Sequence, residues 1–301
     1  MATIVGTSNT SSNDGNTLLL YHHEQSFYSQ KVVFALMEKH LPFKSHIIQL
    51  PKFEQYEPWF IRLNPKGEVP VLRDGVKAIH RDCFQKRAAM RLLKIDEIPI
   101  EDLTIGCLLH QEFTHDTKLP KFIRHRMKAL RTRRFSIIQE MMVQYPDLRE
   151  HYERKLTIIQ DKRRKQENRD ELLKIMNKIT QILDDVETEL ISHSTEEIEM
   201  WLTGERFTAA DICLSVMLHR LFVLGLAFRW WGEDRRPHLA KYFEKTRRLE
   251  SYKRACLTVS NYDKLMYAVE MLKQNMPYLV GTVVLVTALA FGVVFYKKLR
   301  K

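Results

Sequence analysis

Short apolar runs separated by polar turns mark the first eighty residues of the chain. The continuous apolar run at 18–21 predicts a strand buried in a parallel sheet. Apolar residues at helical spacing follow at 32–37, and Ser26 stands where the N-cap of that helix is expected. "SHIIQL" at 45–50 predicts a second strand, and "VPVLRDGVKAI" at 69–79 predicts a β-hairpin around an Asp-Gly turn. The predicted order is therefore βαβ followed by a hairpin.

The hairpin begins at a single Val69-Pro70 bond. Proline cannot donate to a sheet ladder, so it belongs at the first residue of a strand, at an edge or at a bulge. An X-Pro bond is also the one place where a cis peptide costs little free energy. Two interpretations stay open on these residues. Pro70 either simply starts a strand, or it is a cis-proline that turns the backbone of Val69 outward to pair with a peptide-like ligand.

Helical periodicity dominates the rest of the chain. From Leu172 to Leu190, apolar residues recur at 3-4-3-4 spacing, which predicts a long amphipathic helix paired with the helix before it. From Thr117 to Gln139, eight Lys and Arg residues occur without an acid. Such a block is either a solvated face or an interaction arm for an anionic lipid surface or an acidic protein such as tubulin. The predicted basic arm comprises Arg124, Arg126, Lys128, Arg131, Arg133 and Arg134.

A different pattern lies near the C-terminus, where the nineteen residues 278–296 contain no charge. At helical rise they extend about 28 Å, close to a hydrocarbon core of about 30 Å. The segment predicts a transmembrane helix inserted after translation, with residues 297–301 as its basic tail and the rest of the chain facing the cytosol. A short span with a basic tail favours the mitochondrial outer membrane, with peroxisomes as a second location and the endoplasmic reticulum as the alternative. The residues that define the span are Tyr278, Gly281, Ala288, Gly292 and Tyr296.

The composition limits which partners and cofactors can be expected. The net charge of +11 fits an anionic partner, but the basic run has no interleaved aromatic residues, so nucleic acid is not expected. The four cysteines are widely spaced without a C-x-x-C pair, which argues against a zinc site, and no metal cofactor is expected. His22 and His23 lack partners at metal-ligand spacing and are expected to face solvent. Residues 1–16 are expected to form a disordered leader.

Three stretches together resemble the glutathione transferase superfamily. "LLLYHHEQSFYSQKVVFALMEKHLPF" (18–43) with "NPKGEVPVL" (64–72) is similar to its thioredoxin-like N-terminal domain. "WLTGERFTAADICLSVMLHRL" (201–221) is similar to its helical C-terminal domain, where Thr208 and Asp211 form a capping box. The resemblance implies an α+β fold with a thioredoxin-like domain, an all-α domain that carries a long helical insertion, and a C-terminal transmembrane helix. The corresponding ranges are 17–83 for the first domain, 84–262 for the second, about 117–192 for the basic insertion and 278–296 for the anchor.

The resemblance also implies a site. The hydroxyl of Ser26 would stabilise the glutathione thiolate, although Ser26 equally serves as a helix cap. Val69 would pair through its backbone with the cysteinyl part of glutathione, and Pro70 would be cis. The pattern then departs from the family. Arg81 and Asp82 stand where an E/Q-S/T pair normally receives the γ-glutamyl carboxylate, and the third helix of the thioredoxin-like domain is missing from the sequence, as in an alternative splice form or a gene-model error.

Two functions follow as expectations. The first is a glutathione-transferase-like protein of the mitochondrial outer membrane that acts in mitochondrial fission, network dynamics and redox balance without efficient catalysis. The alternative is an active transferase that conjugates glutathione to electrophiles at the same membrane. Glutathione is the one candidate cofactor, and cytoskeletal or membrane-dynamics proteins, anionic lipid and a second copy of the chain are the candidate partners.

Overall fold

The computed structural model describes residues 17–80, 95–119, 121–193 and 201–257, all of which lie in the first of two units, which ends at Thr258. Its strands are β1 (Leu18–His22), β2 (Phe43–Ile47), β3 (Val71–Asp74) and β4 (Lys77–His80). The sheet order is β2-β1-β3-β4, with β1 parallel to β2 and antiparallel to β3. This order confirms the thioredoxin-like N-terminal sheet. Strand β2 starts two residues before the predicted position and ends at Ile47, because Pro51 sits in a 3-10 turn that begins at Leu50.

The described residues form ten helices, three of which are short. They are α1 (Phe27–Glu38), α2 (Pro58–Leu63), α3 (Ile100–Leu109), α4 (Lys121–Gln144), α5 (Arg149–Glu167), α6 (Arg169–His193), α7 (Ala209–Val223), α8 (Ala227–Trp230), α9 (Pro237–Arg248) and α10 (Glu250–Tyr252). A π-helical turn (Lys253–Leu257) closes the described part.

The sheet is covered on both faces. Leu20 and Leu72 pack against Val32 and Leu36 of α1. The neighbouring strand residue Val71 points to the opposite face, where it packs with Phe60 of α2. Helix α1 begins at an N-cap serine and is buried on the side that faces the helical domain, which joins the two domains into one packed body.

The helical domain is built around α7, which is buried along almost its whole length. Asp211 in its first turn accepts hydrogen bonds from the N–H groups of Thr208 at 2.7 Å and Leu202 at 2.8 Å, and from the hydroxyl of Tyr242 at 2.8 Å. The expected capping box is therefore present. The hydroxyl of Thr208 also donates to this carboxylate, at 2.7 Å, so one carboxylate satisfies four donors and ties the start of α7 to α9.

The predicted basic insertion divides into two parts. Helix α6 carries the predicted apolar stripe, and that stripe packs into the main helical core with α3, α7 and α9 rather than against α5 alone. Helices α4 and α5 pack on each other and form a separate apolar cluster with the segment between β2 and β3. We call α4 and α5 the helical hairpin. Its apolar side holds part of the thioredoxin-like domain.

The prediction for His22 and His23 was wrong, because both side chains are buried. Strand β1 continues through His22, whose Nε2 lies 2.6 Å from the hydroxyl oxygen of Ser45 on β2. The Nδ1 of His23 lies 3.1 Å from the carbonyl oxygen of Ile48. The pairing of β1 with β2 therefore buries two histidines that their polarity alone had predicted to be exposed to solvent.

Several expectations concern residues that the structure does not describe. They are the leader at 1–16, Arg81 and Asp82, the missing third helix, the span at 278–296 and the tail at 297–301. Among the helices that the structure describes, none combines the length and apolar character that a membrane crossing requires.

Candidate functional site

A cleft of about 500 Å³ lies where the thioredoxin-like domain meets α3 and the helical hairpin. The first domain contributes the segment just before α1 and the loop that leads into β3. The remaining walls come from α3, α4, α5 and the end of α7. The residues that line it are Gln25, Ser26, Phe27, Leu50, Gln55, Tyr56, Gly67, Glu68, Val69, Glu101, Thr104, Ile105, Met127, Arg131, Arg134, Phe135, Lys155, Ile158, Ile159, Gln160, Lys162, Arg163, Gln166 and Arg220.

Of the two serines near the start of α1, only Ser26 lines the cleft. Its hydroxyl oxygen accepts a hydrogen bond from the N–H of Ser29 at 3.4 Å, which makes it the N-cap that the sequence predicts. This bond uses the oxygen as the acceptor, and the hydroxyl proton makes no hydrogen bond with the described residues, so it can donate toward a ligand. Ser29 is fully buried, and its hydroxyl accepts from the N–H of His23 at 3.3 Å, so its role is structural.

The Val69-Pro70 bond is cis, as the resemblance implies. The loop before it is held from within, since the side-chain amide of Asn64 donates to the carbonyl of Glu68 at 2.7 Å. The helical hairpin holds it from outside. The Nζ of Lys155 donates to the carbonyl of Lys66 at 2.7 Å and to the carboxylate of Glu68 at 3.0 Å. Val69 thereby reaches the same cleft as Ser26.

Sequence reasoning missed the wall that the helical hairpin supplies. Eleven of the residues that line the cleft belong to α4 and α5, and most of them are cationic or apolar. The signal that could have revealed this wall was Ile158-Ile159, an apolar pair within an otherwise charged segment. Helix α5 turns this pair toward the cleft, opposite Ser26 and Val69.

Positive charge predominates in the cleft, where six cationic side chains and two carboxylates form part of the lining. Lys155 pairs with Glu68, and Lys162 pairs with Glu101, each at 3.0 Å. Arg131 and Arg163 share the single carboxylate of Glu167, at 2.9 Å and 3.3 Å. The hydrogen bond from Arg131 holds the pKa of Glu167 below its usual range. In the part of the chain that the structure describes, Arg134 and Arg220 have no ion-pair partner.

The structure distributes the six residues of the predicted basic arm over different surroundings. Arg131 and Arg134 line the cleft, Arg133 is exposed beside them, and the other three are half-buried. Those three are Arg124, Arg126 and Lys128.

The buried cysteines offer no reactive thiol to the cleft. Burial raises the pKa of both Cys107 and Cys256 to about 12, so each stays protonated at neutral pH. Within the described residues, no group of three or more His, Cys, Asp or Glu side chains is arranged to hold a metal ion.

The fold and the cleft define a class, and comparisons with known proteins agree with it. The glutathione S-transferase N-terminal domain family matches residues 25–82, and the C-terminal domain family matches residues 165–245. Helix α4 and most of α5 lie between these two matches. The chain is thus a glutathione-transferase-like protein.

A more specific relationship comes from a human protein, ganglioside-induced differentiation-associated protein 1-like 1. It is 31% identical to this chain, and the alignment covers 79% of this chain and 73% of the human protein. The chain therefore belongs to the ganglioside-induced differentiation-associated protein 1 family.

Two solved structures share the fold. The β-etherase LigF from Sphingobium sp. strain SYK-6 has a TM-score of 0.52 at 20% identity, and the match covers 79% of this chain and 97% of the etherase. Ure2p in complex with glutathione has a TM-score of 0.51 at 13% identity, over 81% of this chain and 100% of Ure2p.

Proposed function

We propose that this chain is a membrane-anchored glutathione-transferase-like protein of the mitochondrial outer membrane that works by binding rather than by efficient catalysis. It acts there in mitochondrial fission, network dynamics and redox balance, and a peroxisomal pool accompanies the mitochondrial one. The single observation that carries the binding role is the cleft, in which Ser26 and Val69 face a cationic wall built by the helical hairpin. The uncharged segment 278–296 supports the anchor.

The sequence after β4 supports the absence of efficient catalysis. A transferase must hold the γ-glutamyl carboxylate of glutathione so that the thiol lies beside its activating hydroxyl. Asp82 stands at the position that would receive this carboxylate, and two negative groups there repel each other. Glutathione would then lose one of its two anchoring points, and its thiol would not be held at Ser26.

Calorimetry with glutathione tests this proposal. We expect no saturable binding at millimolar glutathione. A dissociation constant below about 1 mM, which corresponds to about 4 kcal/mol of binding free energy, would contradict it. The variant Asp82→Ser restores the hydroxyl that the family carries, and it should strengthen glutathione binding if repulsion is the cause.

An active transferase is the second candidate, because the Ser26 hydroxyl proton is free to donate toward a thiolate in the cleft. A conjugation assay with an electrophilic chloronitrobenzene separates the two candidates. In the binding protein, Ser26→Ala costs about 1 kcal/mol of stability through the lost cap and changes no turnover. Turnover that glutathione saturates and that Ser26→Ala abolishes would establish the enzyme.

Cell fractionation tests the anchor. Deletion of residues 278–301 should move the protein from the mitochondrial pellet to the cytosol, because the uncharged span supplies the apolar surface that inserts. Deletion of residues 1–16 is the matched control and should leave the protein in the pellet. A chain without residues 278–301 that still pellets in high salt would refute the anchor.

We also propose that the basic arm meets anionic lipid of the same membrane. Each Lys or Arg near such a surface contributes up to about 1 kcal/mol, within a Debye length of about 8–10 Å. Arg133 is exposed and suits this contact, whereas Arg131 is already paired within the helical hairpin. An acidic protein such as tubulin and a second copy of this chain are the alternative partners.

A further inference from the structure

Two arginines of the cleft, Arg134 and Arg220, form no ion pair with a carboxylate of the described residues. Glu101, which pairs with Lys162, acts on the charge of Arg220 without contacting it. Arg220, at the end of α7, is half-buried, and its guanidinium donates to the carbonyl of Gln25 at 2.7 Å and to the hydroxyl of Thr104 at 3.5 Å. Both partners are neutral. Arg134 is exposed on α4 at the cleft and makes neither a hydrogen bond nor an ion pair with the described residues. Among the described residues, the cleft thus holds one cation without an ion pair on the helical core and another on the helical hairpin.

The position of Arg220 is costly unless an anion joins it. A charged group that leaves water without a counter-charge in direct contact loses hydration that neutral partners only partly replace. Burial accordingly lowers the pKa of the Arg220 guanidinium. Its bond to Gln25 places it beside the segment that carries Ser26. An anion in the cleft would gain from this charge without first breaking an ion pair.

The number of unmatched charges indicates the chemistry of that anion. The lining has six cations and two carboxylates, and the carboxylates of Glu167 and Asp102 lie directly beside it, so two positive charges remain in excess. A monocarboxylate brings one negative charge. A phosphate monoester brings close to two negative charges at neutral pH and three acceptor oxygens. Guanidinium groups also bind phosphate through two parallel hydrogen bonds, which makes them well suited to it.

The rest of the lining indicates what the phosphate is attached to. Phe135, Ile158 and Ile159 of the helical hairpin give the cleft an apolar wall next to its cations. Ligand sites commonly combine such a wall with a few polar groups that fix the orientation of the ligand. Inorganic phosphate alone would leave this wall exposed to water.

We infer that the cleft binds an organic phosphate with an apolar or aromatic body, whose phosphate group is held by Arg220 and Arg134. This inference rests on the proposed binding function and deepens it, because it names the ligand class of the same cleft. The helical hairpin then determines the specificity of the cleft, because its cations and its apolar side chains suit a phosphate ester rather than an uncharged electrophile.

Titration calorimetry on the full chain in detergent tests the inference with three related probes. The probes are 1-naphthyl phosphate, 1-naphthoate and 1-naphthol, which share a ring system and carry a phosphate, a carboxylate and no charge at neutral pH. We expect 1-naphthyl phosphate to bind at least about tenfold more tightly than 1-naphthoate, and 1-naphthol to bind least. Higher salt should weaken the first two and leave the third unchanged.

Neighbouring arginines on α4 provide a matched pair of variants. Arg134→Gln should weaken binding of 1-naphthyl phosphate about tenfold, since a charge-assisted hydrogen bond is lost. Arg133→Gln removes an equally exposed charge outside the lining and should change the affinity less than about twofold. Arg220→Lys keeps the charge but loses the planar fork, so it should also weaken binding, and circular dichroism checks its fold.

The inference fails if 1-naphthol binds as tightly as the phosphate, or if Arg134→Gln and Arg133→Gln behave alike. It also fails if 1-naphthoate matches the phosphate, or if no probe saturates at millimolar concentration. Glutathione is titrated separately, so the two proposals can fail independently. Saturable glutathione binding together with intact phosphate selectivity would overturn only the proposed absence of efficient catalysis.

Discussion

Replacing Tyr152 with phenylalanine tests whether the helical hairpin holds the thioredoxin-like domain in place. Tyr152 lies on α5, its side chain is fully buried, and its hydroxyl donates to the carbonyl of Tyr56 at 2.8 Å. Burial raises the pKa of Tyr152 to about 12, so the hydroxyl remains a donor at any ordinary assay pH. The phenylalanine variant keeps the ring in the apolar cluster and removes only the donor.

The expected loss follows from that single bond. A hydrogen bond inside a protein contributes about 0.5–1.5 kcal/mol net, and an acceptor left buried without a donor costs about 1–3 kcal/mol. We therefore expect Tyr152→Phe to lower the free energy of unfolding by about 1–2 kcal/mol. For a chain of this size, that change corresponds to a fall in Tm of about 2–6 °C.

Thermal unfolding followed by circular dichroism measures this change on the full chain in detergent. Tyr145→Phe is the matched control, because Tyr145 packs at the edge of the same cluster and its hydroxyl has no hydrogen-bond partner in the described ranges. It should shift Tm by less than about 1 °C. Tyr152→Ala removes the ring as well, should cost about 3–5 kcal/mol and should speed proteolysis between β2 and β3. If Tyr152→Phe and Tyr145→Phe have the same Tm, the hydrogen bond from Tyr152 to Tyr56 does not hold the thioredoxin-like domain on the helical hairpin, and our reasoning is wrong.

Three further predictions concern other parts of the molecule. Gly225→Ala should cost more than about 2 kcal/mol of stability, since its φ is +76° and a Cβ would clash with the backbone carbonyl oxygen of His115. Gly75→Ala, with open space around it, should cost only about 1 kcal/mol. Burial lowers the pKa of His22 to about 4, so the unfolded chain binds a proton at His22 before the folded chain does as the pH falls. The free energy of unfolding should therefore drop by about 1–2 kcal/mol between pH 6.5 and 5. Thermal melts of His22→Gln should show a weaker dependence of stability on pH over this range. A chain without residues 278–301 should bind anionic liposomes at low salt and leave them near about 0.5 M salt, and Arg133→Glu should weaken that binding; unchanged binding would make this part of α4 a solvated face.

Sequence alone determined those features whose causes lie within a few residues of one another. The order βαβ-hairpin follows from apolar runs, an Asp-Gly turn and a serine cap, each of which acts through its neighbours. The capping box of Thr208 and Asp211 is equally local, because its two residues lie within one helical turn. Ser26 and Val69 were found through resemblance, and the structure places both at one cleft.

Only the tertiary structure decided the features that depend on distant partners. The polar pair His22 and His23 is buried because β2 pairs alongside β1, which no local pattern reveals. The basic run on α4 contains no acid of its own, yet Arg131 finds Glu167 at the end of α5 because the two helices fold back on each other. The same fold-back brings Ile158 and Arg134 to the site of Ser26. A periodic pattern shows which face of a helix is apolar or charged. It does not show which segment packs against that face, because contacts between distant segments depend on how all the side chains of the core pack together.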